Sequence, residues 1–211
     1  MSKGLKVLLA IVMFGLIITT GCSVKTEHPV NGATDVVAVS NSQGKGIIKA
    51  LDFDDSQKKI IRGIGANPND IFYFGYEGIP KQYNWLEVWI DSYEKGQKVS
   101  KLFSINEGVA SNGNILCMFE DIDNKIRITI EGSSAVKDKP TMEQRVTTNR
   151  KNVNPIRLDT DTEFLLAVRV VDGGNSSAII PDEIFTDYDS AEKELYQNDY
   201  VYLLKGRFYS K

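Results

Sequence analysis

The chain of 211 residues holds one histidine, His28, and two cysteines, Cys22 and Cys117. That inventory bounds its chemistry. Ser-His-Asp and Cys-His mechanisms need an imidazole held by a rigid scaffold within hydrogen-bond reach of the nucleophile. His28 instead lies in Val24-Lys25-Thr26-Glu27-His28-Pro29-Val30-Asn31-Gly32, a polar stretch that reads as a flexible tether. Zinc sites draw on several His and Cys ligands, so no metal site and no cofactor is expected. Two acidic runs, Asp52-Phe53-Asp54-Asp55-Ser56 and Asp159-Thr160-Asp161-Thr162-Glu163, open like calcium loops. The helix-loop-helix site needs Gly at position six and Glu at position twelve. The first run offers Gln57 and Gly63 there and the second Phe164 and Val170, so solvated acidic turns are the expectation.

Paired carboxylates are the catalytic option left. Glu87 and Asp91 share a strand face, but four residues at about 3.3 Å each set them about 13 Å apart. Glycoside hydrolysis uses carboxyl groups roughly 5–9.5 Å apart, so this pair does not form a hydrolase site; a pair across strands stays open. On the same face Trp85, Trp89 and Tyr93 fall at every second residue or multiples of it. Same-face neighbours lie about 6.6 Å apart, which makes a spaced aromatic row. Such a row can stack sugar rings or hold a partner protein, or it can be covered as core. The segment 132–158 contains Lys137, Lys139, Arg150 and Lys151 and reads as a long, locally basic loop in an acidic protein. Loops of that length in a compact domain are commonly functional. Trp85, Trp89, Tyr93 and the four basic residues are the candidate binding surface, for an envelope polymer, anionic headgroups or a partner protein. Aromatic residues do not interleave with the basic ones, so no nucleic-acid partner is expected.

The chain begins with Lys3 and Lys6 ahead of the apolar run Val7–Ile18. These are the parts of an export signal, and 12 apolar residues fall short of the about 20 that a membrane-spanning helix needs. The following Ile17-Ile18-Thr19-Thr20-Gly21-Cys22 resembles the lipobox of bacterial lipoproteins. The departure is Thr19, where that family prefers Leu, Val or Ile. The resemblance implies cleavage after Gly21, attachment of lipid to Cys22 and a place on the extracytoplasmic face of the cell membrane. Two acyl chains make a stable anchor where one is marginal. Removing residues 1–21 takes two lysines from the 25 basic residues and none of the 28 acidic ones, which moves the net charge from −3 to about −5. Cys117 is then the sole free cysteine, so stability must come from the core.

These groups need elements to position them. Residues 22–46 read as a lipidated cysteine and tether, with Asp35–Val39 as a first edge strand, and 47–211 as one domain. Asn84–Tyr93 alternates with period two, and Glu94-Lys95-Gly96-Gln97 turns it into a second strand, Lys98–Ile105. Asn114–Glu120 and Lys125–Glu131 predict another hairpin. Lys59–Ile64 and Asp70–Tyr76 flank the turn cluster Gly65–Asn69, Glu163–Val171 is apolar enough for a strand buried on both faces, and Asp199–Tyr209 closes the chain. A capping-box spacing at Asp189–Glu192 predicts a short helix over Lys193–Gln197.

About eight strands with Gly-rich turns predict an all-β antiparallel sandwich with at most one or two short helices, the immunoglobulin-like layout being the first choice. The functional expectation is a membrane-anchored, extracytoplasmic binding or accessory module of the cell envelope, without catalysis of its own. The alternatives are a carboxylate-dependent hydrolase of envelope glycans and a structural lipoprotein of an envelope assembly.

Overall fold

The computed structural model describes residues 46–120, 124–139, 146–158, 162–173 and 178–211, which leaves Cys22, His28, the tether and the Asp35–Val39 segment outside the described residues. Among the described residues there are eleven strands: β1 (Ile47–Ala50), β2 (Ile71–Glu77), β3 (Trp85–Glu94), β4 (Gln97–Gly108), β5 (Gly113–Glu120), β6 (Lys125–Ile130), β7 (Ser133–Asp138), β8 (Val146–Lys151), β9 (Ile156–Arg157), β10 (Phe164–Asp172) and β11 (Tyr200–Tyr209). They form a six-stranded sheet in the order β7-β6-β5-β2-β1-β9 and a five-stranded sheet in the order β4-β3-β11-β10-β8. Every pairing is antiparallel. The expected all-β sandwich is therefore observed, with more strands than the seven or nine of immunoglobulin layouts.

Alternation explains how the two sheets meet. Leu86, Val88 and Ile90 of β3 face Ile115, Cys117, Ile126, Ile128 and Ile130 of the larger sheet in one buried cluster. Across the gap, Tyr76 meets Phe208 edge-on at 5.3 Å and Phe119 meets Tyr202 at 5.9 Å. Cys117 is fully buried on β5, as a small apolar residue would be. A second cluster lies on the outer face of the smaller sheet. There Val168, Val170, Val201 and Leu203 are covered by Ile184, Ala191 and Leu195, from a 3-10 turn at Asp182–Phe185 and the helix α2 (Tyr188–Leu195). The strands β10 and β11 are thus buried on both faces.

The hairpin turns follow from backbone chemistry. Lys95-Gly96 and Glu131-Gly132 all have positive φ, the conformation that two-residue hairpins require and that glycine adopts without strain. The structure differs from the sequence reading in three segments. Lys59–Ile64 is not a strand: it belongs to the helix α1 (Asp55–Gly63) and its C-cap, because Asp54 and Gln57 form a reciprocal capping box, with Gln57 N donating to Asp54 Oδ1 at 2.8 Å and Asp54 N to Gln57 Oε1 at 2.9 Å. The second helix starts five residues earlier than expected, capped by Asp187, whose carboxylate accepts from Ser190 N at 3.2 Å. Residues 132–158 are not one long loop: β7, β8 and β9 run through the described part of it. Those strands lie at or beside sheet edges, where little alternates because little is buried.

Candidate functional site

A cleft of about 970 Å³ opens between the sheets, where the segment after β1, the start of α1 and the turn before β2 face β8 and β10. Its floor is charged. Asn67 caps the 3-10 turn Pro68–Asp70, its side chain accepting from Asn69 N at 3.1 Å, and this bend buries Asp70 at the start of β2. From the other sheet comes Arg169. In β10 one extra residue, Leu166, shifts the pairing against β11 between Leu165 and Ala167. Because strand faces alternate, a one-residue bulge exchanges inside and outside beyond it. Val168 and Val170 then pack outward in the second cluster, and Arg169 points inward, where only 5% of its surface is exposed.

Arg169 Nη1 donates to Asp70 Oδ1 at 2.6 Å and to Asn149 Oδ1 at 3.3 Å. Asn149, the β8 partner of Arg169, also donates to Asp70 Oδ1 at 2.9 Å, and Asn67 Nδ2 donates to Asp70 Oδ2 at 3.0 Å. The guanidinium carbon stands 4.5 Å over the Phe119 ring. Among the described residues Arg169 Nε has no hydrogen-bond partner. A buried charge costs several kcal/mol unless paired and bonded, and this one is paired but not saturated.

The walls add three lysines and one flat apolar surface. Lys151 Nζ donates to Leu51 O at 2.9 Å and to Asp52 Oδ1 at 2.5 Å, tying β8 to the chain after β1. The Lys151 hydrogen bond, then its charge, holds the Asp52 carboxyl below the usual range. Lys58 and Lys139 also line the cleft, and among the described residues Lys58 makes no salt bridge. Phe53 lies parallel to Tyr73, centroids 5.4 Å apart at 8°. Four cations therefore face two carboxylates, Asp52 and Asp70, in an acidic chain.

Of the candidate surface residues, Lys139 and Lys151 line this cleft and the others do not. Lys137 is exposed on β7. Arg150 points away from Lys151, as adjacent strand residues must, and donates to Pro181 O at 3.1 Å and Asp182 Oδ1 at 2.6 Å. Trp85, Trp89 and Tyr93 do share one face of β3, on the outer side of the smaller sheet, but they are not an open row. Trp89 is 4% exposed, with Lys101 Nζ 4.4 Å above its ring. Tyr93 stacks on Tyr196 at 4.4 Å with Lys98 beside it, and Lys211 sits 3.9 Å over Trp85. The cover is lysine side chains and, at Tyr93, the Tyr196 ring at the end of α2 rather than another sheet, because amphipathic lysines lay their stems on apolar rings.

Those cations are held by the carboxylates of the same face. Glu87 pairs with Lys101, and with Arg207 at 2.8 Å; Asp91 pairs with Lys98 at 3.0 Å and Lys205 at 3.3 Å. Burial disfavours ionisation of both, yet the hydrogen bonds and charges of their basic partners outweigh it and hold each carboxyl below its usual range. Asp70, Asn149 and Arg169 were not singled out from the sequence. The available signal was the charge itself: Arg169 interrupts Phe164–Val171, and an arginine in a doubly buried strand must find a partner.

The family profile of the YgaN domain matches residues 47–208. The chain belongs to the YgaN domain family. The match runs from β1 into β11, so the YgaN domain contains both sheets and the whole lining of the cleft. No curated protein and no solved structure matches the chain. Among the described residues, no cluster of His, Cys, Asp and Glu could hold a metal ion, and no helix is long and apolar enough to cross a membrane.

Proposed function

We propose that this YgaN-domain protein is a lipid-anchored, extracytoplasmic binding module of the cell envelope, and that it binds through the cleft floored by Arg169. One observation carries the reading: a nearly buried, incompletely bonded guanidinium on the floor of an open cleft of about 970 Å³. Replacing a buried ion pair with apolar residues of similar size is often neutral or stabilising. A charge retained there is better explained by a ligand than by stability. The membrane location rests on the short apolar run and the Gly21-Cys22 site.

The alternative of a carboxylate hydrolase draws less support. Glu87 and Asp91 are ionised and each clamped between two cations, which leaves neither with a proton to give. General acid catalysis needs a carboxyl with a raised pKa. In the cleft, Asp70 is enclosed by Asn67, Asn149 and Arg169.

The test has two arms. Mass spectrometry of the mature N-terminus should find a lipid-modified Cys22, and Cys22→Ala should leave the protein unprocessed or shed from membranes; an unmodified residue other than Cys22 at the terminus refutes the anchor. Full-length protein, extracted in detergent, should co-sediment with insoluble envelope polymer, and Lys58→Ala with Lys139→Ala should abolish this without lowering the melting temperature. Co-sedimentation that is absent in the parent protein, or unchanged in the double variant, refutes binding through the cleft.

A further inference from the structure

We infer that the cleft takes an acidic saccharide, a hydroxyl-rich ring compound bearing a carboxylate or a phosphate. The inference rests on the cleft being a binding site and names what it binds. Three features of the lining converge on that chemistry. The first is charge: Lys58, Lys139, Lys151 and Arg169 outnumber Asp52 and Asp70, although the chain as a whole is acidic. An anion is drawn to such a concavity, whose low-dielectric walls strengthen the field. Lys151 is occupied by Asp52 and Leu51 O, whereas Lys58 makes no salt bridge among the described residues. The Lys58 charge helps to lower the Asp52 and Asp54 carboxyls without a salt bridge to either, so it can meet an added negative charge.

The second feature is the uncharged part of the wall, where amides and hydroxyls stand beside the apolar side chains of Leu51, Pro68, Ile71 and Val171. Asn67, Asn69, Asn124 and Thr147 line it. An amide both donates and accepts, as a sugar hydroxyl does. Asn67 already bonds Asp70 and Asn69 N, and Asn124 donates to Lys139 O, so the remaining amide and hydroxyl capacity of Asn69, Asn124 and Thr147 is what suits a hydroxylated ligand. The third is Phe53, fixed parallel to Tyr73, which supplies one flat apolar wall. The C–H face of a pyranose packs on such a ring while its hydroxyls reach the amides. The volume, about 970 Å³, is at the upper end of ligand pockets and accommodates more than one ring.

The experiment uses the full-length protein in detergent and isothermal titration with four probes: digalacturonic acid, its uncharged methyl ester, a disaccharide phosphate and inorganic phosphate. The acidic disaccharide, the disaccharide phosphate or both should bind at least tenfold more tightly than either the ester or inorganic phosphate, and which of them leads identifies the anion. Lys58→Ala should lose at least tenfold for the acidic probe and little for the ester, and rising salt should weaken only the acidic probe. Equal binding of acid and ester removes the charge requirement, and equal binding of inorganic phosphate and the disaccharide phosphate removes the sugar; either overturns the inference. If no probe binds while the Lys58- and Lys139-dependent capture of envelope polymer persists, the saccharide assignment is wrong and the binding cleft stands. If that capture is also independent of the cleft lysines, both fall.

Discussion

Asp70→Ala is the substitution whose cost the structure defines most closely. Asp70 is 8% exposed and accepts from Arg169, Asn149 and Asn67, at 2.6, 2.9 and 3.0 Å. Its removal strands a guanidinium that is itself 5% exposed, with Asn149 Oδ1 at 3.3 Å as its remaining side-chain acceptor. Breaking a buried pair by deleting one partner costs about 3–5 kcal/mol. At about 2–4 °C per kcal/mol for a chain of this size, the melting temperature should fall by roughly 6–20 °C. Removing the orphaned charge as well, in Asp70→Ala with Arg169→Met, should recover at least half of the loss. Urea and thermal unfolding of the parent, single and double variants in one buffer measure this. A single variant within about 1 kcal/mol of the parent, or a double variant as unstable as the single, would show that the pair is not a buried, coupled unit.

Trp89→Ala should cost about 3–5 kcal/mol in unfolding experiments, since a ring with 4% exposure behaves as core; a loss under about 1 kcal/mol would mean that the lysine cover is open in solution. Glu87 and Asp91 have lowered folded-state pKa values, so the unfolded chain binds more protons near and below their ordinary values of about 4. Their stabilisation should be complete above about pH 5 and disappear as pH falls through about 4 and lower, and Glu87→Gln should flatten that acid slope in melts from pH 3 to 7. Cys117 is fully buried and burial pushes its thiol pKa up, so labelling at pH 8 should be negligible until denaturant is added; rapid native labelling contradicts its place in the core.

The strands that a reader of the sequence can find are those whose burial differs between faces, or is complete. Gly113–Glu120 and Lys125–Ile130 alternate because one side meets the core, Trp85–Glu94 alternates in sequence because its second face is covered by lysine stems rather than by a sheet, and Phe164–Val171 is apolar but for Arg169 because α2 covers its other side. Ser133–Asp138 and Val146–Lys151 carry no such pattern: almost none of their residues is buried, so selection for apolar spacing is relaxed. Helix α1 was legible in its Asp54–Gln57 cap, yet Ile60, Ile61 and Ile64 imitate a β-branched strand. The candidate site was the least legible part. Lys151 meets Asp52 across 99 positions, and Arg169 meets Asp70 across 99, so the cleft exists only once the sheets have closed. Local spacing could mark Arg169 as anomalous but could not supply its partner.

Strand β4 ends the smaller sheet, and its pairing to β3 slips twice, at Leu102 and again at Val99. Twelve residues of outermost strand would, if straight, offer a ready template on which a strange chain could lengthen the sheet. The two slips kink that rim, and Lys98 and Lys101 lean across it toward Asp91 and Glu87. The result is a frontier that refuses recruits. Deleting Val99 alone, a residue 61% exposed and dispensable to the core, would remove the kink nearer the hairpin turn and leave the one at Leu102. The soluble yield should then collapse into thioflavin-positive aggregate even though no buried contact has been removed, whereas a deletion variant as soluble as the parent would show that this kink is incidental.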